Sequence, residues 1–345
     1  MLTHLAATLL ALTWPAETSA DSSKTVRVNV DTARSEVVVT VGPLHVPAGT
    51  PYSHHTPETR LQFRWPVSGW VRGYRIDLID SAGNILPREM LHHAGVANLD
   101  RRQLPYPKVE RLFAVGRETT PVVLPNSMGV PLDSNQRMAL YFGVVNTTNR
   151  AIEGASLRLS MVWTANDGAR PRDVFVLFLD ANPGFGSSSA FDIPPGRSIT
   201  TGEFTLPISG RVRALGGHLH DHAVEVRLED VESGAVLAQL RAKRDADGRI
   251  RSVSRARFIL TRGGLRLHAN RRYRVVAVYE NLTSATIPNG GMAFLAGPFA
   301  PDNAQRWPAI DPSDSNYQRD LASITELDEH AGGHGVYRGP NRSAP

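Results

Sequence analysis

The chain has 345 residues, 41% of them hydrophobic and 21% charged, with 24 prolines, 29 glycines and no cysteine. That apolar share can build proper cores in one large domain or two ordinary ones, and it excludes a disordered chain, a coiled coil and a disulfide-stapled miniature fold. The net charge is +5, but nearly all the basic residues are arginines spread along the sequence, the pattern of a solvated surface and not of a nucleic-acid interface. Without cysteine there can be no thiolate zinc site, iron–sulfur cluster or thiol nucleophile, so any metal must be held by His, Met or carboxylate.

In chain order, residues 5–14 (LAATLLALTW) form an apolar stretch of signal-peptide length, followed by Pro15 and the small-residue run Thr18-Ser19-Ala20. This reads as a signal peptide over residues 1–20, with the mature protein secreted or periplasmic. No later stretch reaches the roughly 18 apolar residues of a membrane span. Alternating segments come next: Val26-Arg27-Val28-Asn29-Val30, Leu157-Arg158-Leu159-Ser160-Met161 and Val224-Glu225-Val226-Arg227-Leu228 as half-buried strands, and Val37-Val38-Val39-Thr40-Val41 as a more buried one. Turn signals such as Ser81-Ala82-Gly83-Asn84, Pro194-Pro195-Gly196 and Asp245-Ala246-Asp247-Gly248 separate them. Long amphipathic patterns are missing, so the expected fold class is all-β, built as sandwiches or jelly rolls.

The sequence also repeats itself. Phe63-Arg64-Trp65-Pro66-Val67-Ser68-Gly69-Trp70-Val71-Arg72-Gly73 returns as Phe204-Thr205-Leu206-Pro207-Ile208-Ser209-Gly210-Arg211-Val212-Arg213-Ala214, sharing Phe, Pro, Ser, Gly, Val and Arg in register. Asn135-Gln136-Arg137 precedes Asn146-Thr147-Thr148 by eight residues, and Asn270-Arg271-Arg272 precedes Asn281-Leu282-Thr283 by the same interval. Two tandem related sandwich domains are therefore expected, over residues 25–165 and 172–300. The polar stretch Thr164–Pro171 joins them, and residues 301–345 form a polar C-terminal tail.

Each repeat carries a histidine cluster: His92-His93 in the first, His218-Leu219-His220-Asp221-His222 in the second. On a strand, residues i, i+2 and i+4 share a face, so His218, His220 and His222 can converge while Leu219 turns away. Gly216-Gly217 before them allows close backbone approach or a bulge. Met292, in Asn289-Gly290-Gly291-Met292, is a candidate third donor, and two imidazoles with a thioether favour copper, Cu(I) above all. His92 and His93 are adjacent, so both can bind one ion only where their strand ends or bulges. His54-His55, His330 and His334 read as solvated surface. The Gly-x-Ser-x-Gly elbow, Walker loop, His-Glu-x-x-His and Rossmann patterns are all missing.

On these residues the chain resembles the copper type II, ascorbate-dependent monooxygenase family (peptidylglycine alpha-hydroxylating and dopamine beta-monooxygenases), and more closely its bacterial secreted relatives carrying Leu-His-His and Gly-Gly-His-Leu-His-Asp. The resemblance covers about residues 45–300. It implies that His218, His220 and Met292 match the oxygen-binding copper, that His92 and His93 match an electron-transfer copper, and that the activity is C–H hydroxylation of a small molecule or peptide. The family's third ligand for the electron-transfer copper lies in a strand that here reads Leu140-Tyr141-Phe142-Gly143-Val144-Val145-Asn146, which has no histidine; His54 or His55 would have to substitute. The disulfides of the animal enzymes are also missing. Three functional readings follow: a secreted copper-binding protein with a mononuclear second-domain site and a degraded first one; an active copper-dependent monooxygenase using an external reductant; and a non-catalytic secreted binding module whose histidines are structural.

Overall fold

A computed structural model of the protein describes residues 25–50, 58–119, 121–166, 168, 170–184, 189–258 and 263–325. The expected signal peptide and His54, His55, His330 and His334 lie outside the described residues. The first half contains β1 (Thr25–Asp31), β2 (Glu36–Val46), β3 (Glu58–Arg64), β4 (Gly69–Ile79), β5 (Leu91–Arg102), β6 (Val109–Gly116), β7 (Val122–Val123), β8 (Met128–Leu132), β9 (Arg137–Val144) and β10 (Ile152–Ala165). After β11 (Arg172–Asp173) the second half contains β12 (Phe175–Asp180), β13 (Phe191–Ile193), β14 (Gly196–Thr205), β15 (Gly210–Val212), β16 (Ala214–Leu219), β17 (Ala223–Asp230) and β18 (Val236–Arg244). It continues through β19 (Ile250–Val253), β20 (Ala256–Arg257), β21 (Leu265–Leu267), β22 (Arg272–Asn281), β23 (Ile287–Gly291) and β24 (Ala293–Pro301), and a helix, α1 (Ser315–Thr325), follows.

The fold is all-β, with two sheet pairs that repeat. In the first half β3-β9-β5-β6 forms one sheet and β2-β10-β4-β8, widened by β1, β7 and β11, the other. In the second half β14-β22-β17-β18 and β12-β24-β15-β21 follow the same orders, with β19 extending the former and β16 and β20 the latter. Alternation selects the buried face of each strand. Val37, Val39 and Val41 of β2 and Leu157, Leu159 and Met161 of β10 are fully buried and meet Leu140 and Phe142 of β9 in one core. Val226, Leu228, Leu240, Val275 and Ala277 meet Leu177, Leu179 and Leu295 in the other. Each such side chain contributes about 1.5–3 kcal/mol by leaving water.

The repeated sequence anchors make the same hydrogen bonds in both halves. Asn135 and Asn270 both have positive φ, 68° and 60°, and their amides donate to Trp65 O and Leu206 O, each at 2.8 Å. Ser68 Oγ accepts from Ser134 N at 3.0 Å, and Ser209 Oγ from Ala269 N at 2.8 Å. Asn146 Oδ1 accepts from Thr148 N and Oγ1, while its Nδ2 donates to Val46 O and Arg150 O. Asn281 does the same with Thr283, Ile193 O and Ala285 O. Both asparagines are buried, so each Asn-x-Thr is an internal turn lock that satisfies the carbonyl of a buried residue, Val46 or Ile193, and holds its own turn.

The halves are built into one another. Leu104 and Tyr106, from the β5–β6 connection, belong to the second core, and the Tyr106 hydroxyl accepts from Asp180 N at 3.3 Å. Trp307 stacks on Phe175 and donates to Arg102 O at 2.9 Å. The expected polar tail instead folds back as far as Thr325: Tyr317 and Ile324 of α1 pack on Ala97, Leu99, Val109 and Ala139, and Asp320 pairs with Arg111. Tyr317, Leu321 and Ile324 are spaced i, i+4, i+7, the minimal stripe of a docked helix.

Replacing either lock, by Asn146→Ala or Asn281→Ala, strands the carbonyl of one buried residue, Val46 or Ile193, and should cost about 1–3 kcal/mol, read as a lower urea midpoint. Equal midpoints for wild type and variants would show that the turn holds without them.

Candidate metal centre

His218 and His220 stand at the end of β16, both about 5% exposed. Strand alternation turns them to one face, and their ring centroids are 5.0 Å apart at 85°. Gly217 is required here because a Cβ would stand 2.8 Å from Phe294 O; Gly216 has open space. The neighbouring strand places Phe294 opposite His218, with the rings 5.3 Å apart, and His220 N donates to Met292 O at 3.2 Å. The register runs to Leu219 opposite Ala293, and the backbone bond brings half-buried Met292 beside His220.

Each imidazole of this pair is held from behind. His220 Nδ1 donates to Gly290 O at 3.2 Å, and His218 Nδ1 meets Glu118 Oε1 at 2.6 Å. A carbonyl can only accept, so Gly290 O takes its hydrogen bond from His220 Nδ1, and the Glu118 carboxylate sits on Nδ1 of His218. That is the outer arrangement typical of metal-binding histidines.

Glu118 comes from the other half, on the turn after β6. The turn is shaped by Thr119 Oγ1 donating to Gly116 O at 2.9 Å and by Arg88 donating to Gly116 O and Thr119 O. It is fastened to the second half by Arg117, whose Nη2 lies 2.7 and 3.0 Å from the Asp221 carboxylate. The Glu118 carboxylate folds back over Gly116, where a Cβ would lie 2.3 Å from Oε2.

His92 and His93 open β5 at a register shift between Leu91 and His93, the bulge that adjacent ligands require, and their ring centroids are 4.6 Å apart. His93 faces Gly143 on one side and Gly116 on the other. Beyond Gly143 comes Glu58, and because that glycine has no side chain, Glu58 reaches across the row to His93 Nε2. Arg60 holds the other Glu58 oxygen at 3.0 Å. The strand in which a third histidine was looked for thus supplies a gap, and a carboxylate fills it.

The two pairs adjoin: His92 and His220 have centroids 6.4 Å apart. With a metal–nitrogen bond of about 2.0–2.1 Å, imidazoles on one ion at ordinary ligand angles have centroids about 4.5–5.2 Å apart. Each pair fits that range and the cross pair exceeds it. Among the described residues no three His, Asp or Glu side chains form a metal-holding group; an ion at His218 and His220 would need a donor of another type, and Met292 offers a thioether.

His222 leaves the expected face. Its φ is +69°, its amide donates to Gly248 O at 2.7 Å, and its ring packs on Gly248, because β16 has already ended. Sequence reasoning missed Glu58, Glu118 and Tyr279. The Tyr279 hydroxyl donates to Met292 O at 2.5 Å and accepts from His220 N and Met292 N at 3.3 and 3.2 Å, and burial pushes its pKa upward. It ties the His220 and Met292 backbones together. Alternation on β22 marks Tyr279 as core, but nothing local marks its hydroxyl.

No protein-family model and no curated protein matches the chain. Among solved structures it is similar to an N-glycanase F (TM-score 0.37, 11% identity, covering 76% of this chain and 95% of that one). It is also similar to PNGase F, a glycosylasparaginase from Flavobacterium meningosepticum (TM-score 0.29, 10% identity, 72% and 98%), and to VP54 of PBCV-1 (TM-score 0.26, 7% identity, 86% and 100%). Likenesses this distant carry no inference about activity. No helix among the described residues is long and apolar enough to cross a membrane.

Tyr279→Phe keeps the ring and removes the three-way hydroxyl junction. It should cost about 1–2 kcal/mol in chemical denaturation, and no loss would show that the junction does not hold the two segments.

Proposed function

We propose that the chain is a secreted copper-binding protein whose principal ion is held by His218, His220 and Met292. One observation supports the reading: two imidazoles 5.0 Å apart at the end of one strand, each with Nδ1 engaged by an acceptor from another segment. Two imidazoles and a thioether suit copper better than zinc, iron or magnesium, and with no cysteine in the chain no thiolate competes. Glu118 holds Nδ1 of His218, Gly290 that of His220, and Tyr279 the spacing between His220 and Met292. Such outer partners typically contribute 10–100-fold in metal affinity.

The adjoining first pair favours a second, redox reading, that of a copper-dependent monooxygenase. Copper, when bound, would supply one-electron chemistry toward dioxygen. Inserting one oxygen atom into a C–H bond while the other leaves as water consumes two electrons and two protons, drawn from an external reductant. His92 lies next to His220, so an ion at the first pair would have a short path to the second, and Glu58 orients His93 in place of the missing third histidine. The substrate would be a small molecule or peptide.

Untagged protein loaded with Cu(I) should retain copper, and His220→Ala should lose one equivalent per chain; absence of uptake by the wild type overturns the reading. For the redox reading, oxygen consumption should depend on added ascorbate and vanish in Met292→Ala. Copper binding without such consumption would leave the binding function alone standing.

A further inference from the structure

The duplicated anchor places an arginine at the same bulge in each half, and the two arginines are treated differently. Arg72 follows Val71 where β4 shifts register against β10, and Arg213 follows Val212 where β15 and β16 shift against β24. The carbonyl of Arg72 accepts from Leu124 N at 2.6 Å and that of Arg213 from Phe258 N at 3.2 Å, which fixes the equivalence.

The Arg72 guanidinium is satisfied within the protein, donating to Thr164 Oγ1 at 2.7 Å, Asn126 Oδ1 at 2.6 Å and Leu124 O at 3.4 Å. In the second half the acceptor equivalent to Thr164 is gone. Thr164 lies opposite Trp70 and Ala300 opposite Arg211, so Ala300 replaces Thr164. Arg213 Nε is buried and has no hydrogen-bond partner among the described residues.

Positive charge has been added where an acceptor was removed. Arg211 stands at the counterpart of Trp70, directly opposite Arg266, and Arg172 approaches from β11. Both strand arginines lie against the Gly263-Gly264 turn, with φ of +86° and +114°: a Cβ on Gly263 would be 3.1 Å from Arg213 Nη1 and 3.7 Å from Arg211 Cδ, and Arg211 donates to Gly264 O at 3.2 Å. Asp302 is engaged by Arg266 through two bonds of 2.7 Å. Among the described residues Arg172, Arg211 and Arg213 form no salt bridge, whereas about half of the described arginines do. Burial, then the charges of Arg172 and Arg211, lowers the pKa of Arg213. Asp302 also feels the charges of Arg211 and Arg172, but its hydrogen bonds go to Arg266; like charges gathered without a directly bonded carboxylate cost stability, and three guanidinium groups from separate segments offer more donors than a planar carboxylate can use.

We propose that Arg213, Arg211 and Arg172 form a binding site for a tetrahedral oxyanion, the phosphate or sulfate group of a ligand. Arg213 immediately precedes β16, seven residues and about 23 Å of extended chain before His220, and the site does not depend on the copper reading.

The test is calorimetric titration of the full chain with inorganic phosphate and, separately, sulfate at low ionic strength, with acetate and chloride as controls. Saturable one-to-one binding of phosphate or sulfate is expected, weakened at least tenfold in Arg213→Gln and severalfold in Arg172→Gln, an exposed position where folding is not at stake. The anion bound more tightly identifies the group. Lack of saturable binding by the wild type, unchanged affinity in both variants, or acetate binding as tightly as phosphate would each overturn the proposal.

Discussion

The candidate centre depends on a carboxylate crossing between the halves. Glu118 is almost wholly inaccessible, and a buried carboxylate is costly unless a donor meets it; the donor is His218, on a strand of the opposite half. The crossing is therefore a joint. It fixes one imidazole in direction, and with Arg117 and Asp221 beside it it fixes how the first half lies against the turn following the His-x-His strand. Removing the crossing would leave two sandwiches, each with half of a site.

Duplication built the scaffold but not the centre. Bulges occur at the same place in β5 and β17, where Leu91-His92-His93 corresponds to Ala223-Val224-Glu225. Likewise Asp77 and Ile79 of β4 stand where His218 and His220 stand in the second half. The donors thus sit on different strands of the repeat, one pair opening a strand and the other closing one. They come close only because the halves pack asymmetrically, with the β5–β6 connection entering the second core. Two equivalent copies would have held their ligands apart.

Much of this was legible. Strand alternation marked the buried faces, and the Phe-x-x-Pro-x-Ser-Gly and Asn-x-Thr anchors marked the repeat because identical turn geometry demands identical hydrogen-bonding side chains. The same-face placement of His218 and His220 followed from strand parity, and adjacency of His92 and His93 itself required a bulge. His222 did not follow, since parity holds only while a strand continues. Glu58 and Glu118 were invisible for a different reason: each is a single carboxylate in an ordinary context, and its importance arises from pairing with residues 35 and 100 positions away. Helix α1 was missed because its stripe has only three apolar residues amid polar ones.

The return of α1 has a consequence for how the chain can mature. Its residues complete the surface of the sheet formed by β3, β9, β5 and β6, so the first sandwich to be synthesised is the last to be finished, after the second has been made in full. Until Thr325 is available, Arg111 lacks Asp320 and the faces of Ala97, Leu99, Val109 and Ala139 stay uncovered. A chain emerging from its N-terminus would thus present an unfinished first half throughout synthesis of the second, and this sheet would be covered only on arrival of α1.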